Sequence, residues 1–147
     1  MNSGREKLNI LFICSGNSFR SQIAEAWGNH LRGDEYNFYS AGTRPHAINP
    51  RAVQVMAMAG IDMSHHVAKD ISALDRSMDV VITVCDKAKE SCPVFPQAPK
   101  VIHVDIEAPS AQARQAANEE EALAIYCRVR DELRAMVEGL DRYLRTV

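Results

Sequence analysis

Long apolar runs are missing from this 147-residue chain, as are polybasic stretches, internal repeats and low-complexity segments. The N-terminus, Met1-Asn2-Ser3-Gly4-Arg5-Glu6-Lys7, is polar, and the apolar run after it is too short for a signal segment or a membrane span. Lysine and arginine number 17 against 19 acidic residues, a net charge of −2, so neither a nucleic-acid stripe nor a membrane surface is expected. Aromatic residues make up only 6 %, which argues against a site built around an aryl substrate. Four cysteines do not make a structural disulfide framework in a reducing cytoplasm, the location expected for such a chain. Catalysis, metal binding or packing remain for them. What is present, 46 % hydrophobic and 24 % charged residues, fits one globular domain with a real core, expected to be monomeric.

Strand and helix signals alternate with short loops. Leu8–Ile13 reads as a buried strand, and Ser21 to about Arg32 as a helix with Ile23, Ala24, Trp27 and Leu31 on one face, closed by Gly33. Tyr36–Ser40 is predicted as a second strand. Pro50–Ala59 is a helix capped by Asn49, with proline in its first turn and Gly60 as its stop. Asp79–Val84 is a β-branched run of the kind found in buried parallel strands, and Lys100–Ile106 a fourth strand. From Asn118 a long helix carries Ala122, Tyr126, Val129, Leu133, Met136, Leu140 and Leu144 on one stripe, its start marked by a cap and three glutamates. Alternating β and α elements predict an α/β fold: a single domain, residues 1–147, with a four-stranded parallel sheet and helices on both faces. Ligands in such folds bind at the carboxyl ends of the strands, where Cys14 and Cys85 both emerge.

Cys14-Ser15-Gly16-Asn17-Ser18-Phe19-Arg20-Ser21 stands between a strand end and a helix start. Such a loop can wrap a tetrahedral oxyanion. Amide groups from Ser15 through Phe19 point inward, the helix dipole adds positive charge, Arg20 supplies a forked cation, and Gly16 permits close approach. The same field favours thiolate at Cys14, and Ser21 can hydrogen-bond its sulfur. The plain alternative is a buried cysteine at a strand end with a surface arginine nearby.

Cys85 and Cys92 lie seven apart in Cys85-Asp86-Lys87-Ala88-Lys89-Glu90-Ser91-Cys92-Pro93. On a helix that spacing means about 10.5 Å of rise, beyond the roughly 4.4–6.8 Å between Cα atoms that a disulfide tolerates. Either the two never bond, or the segment loops out when they do. One core cysteine beside one incidental surface cysteine is the bland alternative. Zinc is disfavoured, with only two cysteines clustered and His103 the nearest histidine downstream. Cys127 on the long helix reads as packing, His65-His66 as a solvated pair, His30 and His46 as isolated, and Met56 and Met58 as part of a core-facing helix.

The loop resembles the oxyanion loop of the low-molecular-weight protein tyrosine phosphatase superfamily. Thr83-Val84-Cys85 through Cys92-Pro93 resembles the redox segment of its thioredoxin-coupled arsenate reductase branch. Tyr39-Ser40-Ala41-Gly42-Thr43, Asn49-Pro50-Arg51-Ala52-Val53 and Arg128-Val129-Arg130-Asp131-Glu132-Leu133 extend the resemblance from about Leu8 to Leu140. It implies arsenate or another phosphate-like oxyanion as substrate and thioredoxin or a similar dithiol protein as reductant, with no organic cofactor. It further implies Cys14 as nucleophile, Cys85 and Cys92 as a disulfide shuttle, and Arg20 and Ser21 as their helpers. A potassium ion near the loop would be held by the matching oxygen-bearing residues Asn17, Glu25, Ser40 and Asp70.

One departure stands out. The family's usual Asp-Pro after the fourth strand, which carries the general acid, is here Ala108-Pro109 in His103-Val104-Asp105-Ile106-Glu107-Ala108-Pro109-Ser110. Asp105 and Glu107 are the nearby carboxylates that could take the role. A tyrosine phosphatase, needing neither Cys85 nor Cys92 but wanting that aspartate, is the first rival reading. A non-catalytic oxyanion or redox sensor is the second.

Overall fold

The computed structural model describes residues 7–88, 90–92 and 98–145. Strands β1 (Leu8–Cys14), β2 (Tyr36–Gly42), β3 (Val80–Val84) and β4 (Lys100–Val104) form one parallel sheet in the order β2-β1-β3-β4. The inner lengths of the two central strands are apolar apart from Thr83 because both of their faces are covered. Ile10 to Ile13 in β1 and Val80 to Val84 in β3 are all buried. At the edge, β4 leaves Val101 half exposed.

Among the described residues five α-helices accompany the sheet: α1 (Arg20–Arg32), α2 (Pro50–Met58), α3 (Pro109–Ala113), α4 (Glu119–Glu138) and α5 (Leu140–Arg145). Ile10, Phe12, Ile82 and Val84 point to one face, where they pack with Ile23 and Trp27 of α1 and Val129 and Leu133 of α4. Trp27 buries its ring there and donates its Nε1–H to the Arg130 carbonyl at 3.1 Å. Gly28 lets α1 close on β2, since a Cβ at that position would lie 2.6 Å from the Phe38 ring. The opposite face, Leu11, Ile13 and Val81, is covered by Met78 and by the 3₁₀ helix Ile71–Ala73 with Leu74 behind it.

The expected architecture is present, with local differences. β2 runs two residues beyond Ser40 because Cys14 of β1 still pairs with Gly42. β4 stops at Val104, two residues before the expected Ile106. The C-terminal stripe is two helices rather than one, broken at Gly139, and Leu140 restarts the apolar face at the head of α5. Asn49 and Asn118 cap α2 and α4 as expected, their side-chain oxygens accepting from Arg51 N and Glu121 N. Among the described residues no helix is long and apolar enough to cross a membrane.

Candidate active site

β1 ends in Cys14, and the chain then turns through Ser15–Phe19 into α1. The loop is fixed from outside through its carbonyl groups. Ser15, Gly16 and Ser18 accept hydrogen bonds from the amides of Arg44 (2.9 Å), His46 (2.9 Å) and Asn49 (3.0 Å). In a trans peptide the N–H opposes the C=O, so outward carbonyls leave the amides of Gly16, Asn17 and Phe19 on the inner side. Asn17 completes the bend with a left-handed φ of 49°. The start of α1 has neither a side-chain cap nor an acidic residue in its first turn, so its amides and dipole are available to an anion.

Behind the loop a chain of buried polar groups holds Cys14. Asn17 donates from Nδ2 to Ser21 Oγ at 2.8 Å, and Ser21 Oγ lies 2.9 Å from the Cys14 sulfur. Against a Cys14 thiolate, which can only accept, the Ser21 hydroxyl is the donor in that contact. The orientation of Asn17 is itself fixed, because its Oδ1 accepts from Gln22 Nε2 and from the Lys69 amide, both at 2.8 Å. Gln22 in turn donates to the Val67 carbonyl and takes His66 Nδ1 at 2.8 Å. Burial of the ring pushes the His66 pKa down, and because the Gln22 Oε1 only accepts, His66 Nδ1 is the donor in this contact. His66 is thus half-buried and employed, not part of a solvated pair.

The candidate cation residues meet only in part. Ser40 donates to Glu25 Oε1 at 2.5 Å, and Asn17 lies in the adjoining network. The Asp70 carboxylate serves the Ser72 amide and hydroxyl instead, at 2.9 and 2.8 Å. A positive charge already stands at Glu25: the Lys69 ammonium lies 3.4 Å from Oε1 and donates to the Val67 carbonyl at 3.2 Å. Asn17, Glu25 and Ser40 thus share one network while the Asp70 carboxylate is engaged by Ser72, and among the described residues no cluster of three or more histidine, cysteine or acidic side chains offers another metal site.

On the opposite side of Cys14, the segment after β3 is a turn rather than a helix. Cys85 and Cys92 are joined by a disulfide with their Cα atoms 6.0 Å apart, while Cys14 is a free, buried thiol. Of the two alternatives left by the spacing, the looped one holds. Lys89 and Pro93 lie outside the described residues. Cys85 is buried, whereas Cys92 is half-exposed at an open groove of about 470 Å³ shared with Ser15, Thr43, Arg44 and Ser91. Arg20 is engaged by this segment. Its Nη1 and Nη2 donate to the two Glu90 oxygens at 2.6 and 2.9 Å, and Nη1 also donates to the Ile106 carbonyl at 2.8 Å. The guanidinium holds the Glu90 carboxyl below the usual glutamate range.

A cavity of about 110 Å³ opens over Cys14, floored by Gly16, Ser18 and Arg20 and roofed by Ala108, Pro109, Ser110 and Tyr126. Ala108, where an acid was sought, contributes only a methyl group. Asp105 is engaged away from Ala108. Its Oδ1 is 2.6 Å from His103 Nε2 and accepts the Lys87 amide at 3.4 Å, and the His103 contact lowers its pKa. A carboxylate kept ionised in this way is a poor proton donor. Glu107 is half-buried, one residue before Ala108.

Residues 9–146 match the low molecular weight phosphotyrosine protein phosphatase family. The chain belongs to that family. Among its relatives, an arsenate reductase of Bacillus licheniformis is 43 % identical over 128 residues, 86 % of this chain and 90 % of the relative. Arsenate reductase 2 of Staphylococcus epidermidis is 38 % identical over 136 residues, 91 % and 96 % of the two chains. An arsenate reductase solved in its phosphate-binding state superposes with a TM-score of 0.75 at 25 % identity, covering 92 % of this chain and 98 % of that one.

Within this phosphatase-family fold, Cys14, Ser21, Arg20, Cys85 and Cys92 gather at one rim of the sheet, as the alternation of elements implied. Sequence reasoning missed Gln22, His66, Lys69 and Glu90. Each acts on a residue 44 to 70 positions away in Gln22–His66, Glu25–Lys69 and Arg20–Glu90, and no local spacing signals such pairs. Gly42 carried a usable signal, since a glycine at a strand end beside a candidate loop marks close backbone approach. His46, read as isolated, lies with its Cδ2 2.6 Å from where a Gly16 Cβ would be, so Gly16 is small for the imidazole as well as for an anion. Cys127 is partly buried against the core and Met58 is exposed, so the first is packing as expected and the second is not core.

Proposed function

We propose that the protein reduces arsenate to arsenite through a three-cysteine relay and is recycled by thioredoxin or a similar dithiol protein. The observation that carries this reading is the Cys85–Cys92 disulfide on the same sheet rim as the Cys14 loop, since a simple ester hydrolase has no use for it. Two of the family relatives named above are arsenate reductases, which supports the same reading.

The relay balances as follows. The Cys14 sulfur attacks arsenic, forming an S–As bond and releasing one arsenate oxygen as water after protonation. Cys85 thiolate then attacks the Cys14 sulfur. The S–As bond breaks, its electron pair stays on arsenic, and As(V) leaves as As(III) while a Cys14–Cys85 disulfide forms. Cys92 thiolate attacks Cys85, restoring Cys14 and leaving the Cys85–Cys92 disulfide. An external dithiol supplies two electrons and two protons to reopen it. It reaches the half-exposed Cys92 sulfur in the groove, and Cys85 is the leaving thiolate. The loop amides and the helix dipole stabilise the anion during the first step, and Ser21 and Asn17 hold the sulfur in line.

No organic cofactor takes part in this scheme. Charge compensation behind the loop comes from the Lys69 ammonium on Glu25, and potassium is assigned no step. A need for electrons from a dithiol protein supports a cytoplasmic location. The test is arsenate-dependent NADPH consumption in the presence of thioredoxin and its reductase, which the protein is expected to sustain. Cys92→Ser is expected to release one arsenite per chain and stop, with a Cys14–Cys85 disulfide recoverable by peptide mapping. Sustained turnover by that variant would remove Cys92 from the relay, and no arsenate-dependent oxidation by the parent would remove the function.

A further inference from the structure

Resting on that reading of the Cys14 loop, we propose that Glu90 is a built-in competitor of the oxyanion, occupying Arg20 whenever the Cys85–Cys92 disulfide is closed. A tetrahedral oxyanion and a carboxylate offer the guanidinium fork the same thing, two oxygens for two parallel N–H donors. Here both donors are taken, at 2.6 and 2.9 Å, and Nη1 is pinned from behind by the Ile106 carbonyl at 2.8 Å. The pair is sheltered, with side-chain exposures of 10 % for Arg20 and 24 % for Glu90, so it is not a solvated surface contact. An anion entering the cavity over Cys14 must displace it to gain the Nη1–Nη2 face of Arg20.

The position of Glu90 depends on the turn that the disulfide closes. Its amide donates to the Asp86 carbonyl at 3.0 Å, and its Oε2 also accepts the Asp86 amide at 3.1 Å, one residue after Cys85. The Cys85–Cys92 bond ties the two ends of this short stretch together. Opening it releases the constraint on the turn, and Glu90 loses the frame that aims it at Arg20. Two consequences follow. The oxidised protein has a weakened oxyanion site, so arsenate does not load before the thiols are restored. By reciprocity, an oxyanion that binds the reduced form better than the oxidised form must also make the disulfide easier to reduce.

Glu90 is therefore a positioning residue for Arg20 and not a catalytic one. The experiment is calorimetric titration of inorganic phosphate into four samples: parent and Glu90→Gln, each fully reduced and each with the Cys85–Cys92 bond closed. Glutamine keeps the size of the side chain and an acceptor for the Asp86 amide while removing the charge. The oxidised parent is expected to bind phosphate at least about tenfold more weakly than the reduced parent, and oxidised Glu90→Gln to recover most of that loss. Equal affinity in the two redox forms of the parent, or no gain in oxidised Glu90→Gln, overturns the proposal. Failure of the reduced parent to bind phosphate would instead overturn the oxyanion reading of the loop, a distinct result. Should that variant not fold, Glu90→Ala is measured in its place, with the same recovery expected in its oxidised form. A tenfold difference in affinity requires saturating phosphate to raise the potential of the disulfide by about 30 mV, and an unmoved potential rejects the coupling.

Discussion

Gly42 stands where any side chain would strike the oxyanion loop. A Cβ there would lie 2.5 Å from the Ser15 carbonyl oxygen and 3.0 Å from the Asn17 nitrogen, both backbone atoms that cannot rotate away. Gly42→Ala is expected to push the loop out of line and lower kcat/KM for arsenate by about 10²-fold, the scale of effect of a 1 Å misplacement. Because the central strands are untouched, melting temperature should fall far less than activity does; unchanged kinetics would show that the loop tolerates displacement. Lys69 supports a second expectation. With its ammonium on Glu25, the parent should show the same initial rate and melting temperature in potassium and in tetramethylammonium chloride, whereas Lys69→Met should be slowed and regain rate with added potassium. A parent that needs potassium would return Glu25 and Ser40 to a metal site. At this scale the sequence reveals residues whose chemistry is local. Cys14, Arg20 and Ser21 were legible because strand, loop and helix put them in one short stretch. Gln22, His66 and Lys69 were not, because their meaning lies in contacts across 44 or more residues.

Helix α3 begins where the absent acid was sought. Ala108 is its N-cap residue, extended at φ −69° and ψ 126°, with Pro109 in the first turn and no side-chain cap. An aspartate there gains two roles at once. As a cap it stabilises a short helix by about 1 kcal/mol. Over the cavity it can protonate a leaving group, an effect typically worth about 10²–10⁴-fold. Ala108→Asp is therefore expected to raise hydrolysis of aryl phosphates strongly and arsenate reduction little, since the oxygen lost from arsenate can arrive already protonated. Brisk ester hydrolysis by the parent, with no gain in the variant, would mean that another group already serves. Elements were legible in proportion to how long and regular they are. β1, β3 and α4 declare themselves through continuous apolar runs or a sustained stripe. The three-residue 3₁₀ helix and the five-residue α3 carry too few positions for any period to show. In the redox segment helical rise left two outcomes open, and the turn that joins Cys85 to Cys92 decides between them, a choice no short-range spacing could make.

Acid tolerance belongs to the molecule as a whole, and one half-buried pair gives it a definite direction. Arg20 holds the Glu90 pKa below the ordinary value of about 4.3. The pair's contribution is complete above that value and is lost as pH falls through the lower, folded one. The stability of the oxidised protein to denaturant should therefore fall as the pH drops below about 4.3, and oxidised Glu90→Gln should lack that part of the slope; identical slopes would mean that the pair does not stabilise the closed form. The sheet order has a consequence of another kind, in the timing of synthesis. β1 is flanked by β2 and by β3, with Ile10 opposite Val80. A nascent chain can make the first pairing after about 40 residues, with Cys14 already out of the ribosome, but cannot bring Cys85 beside it until the whole of β3 has emerged. Contacts of such long range form late in folding. A half-made chain thus carries one thiol with neither of its two partners yet synthesised, and disulfide relay chemistry becomes available only when the centre of the sheet is complete.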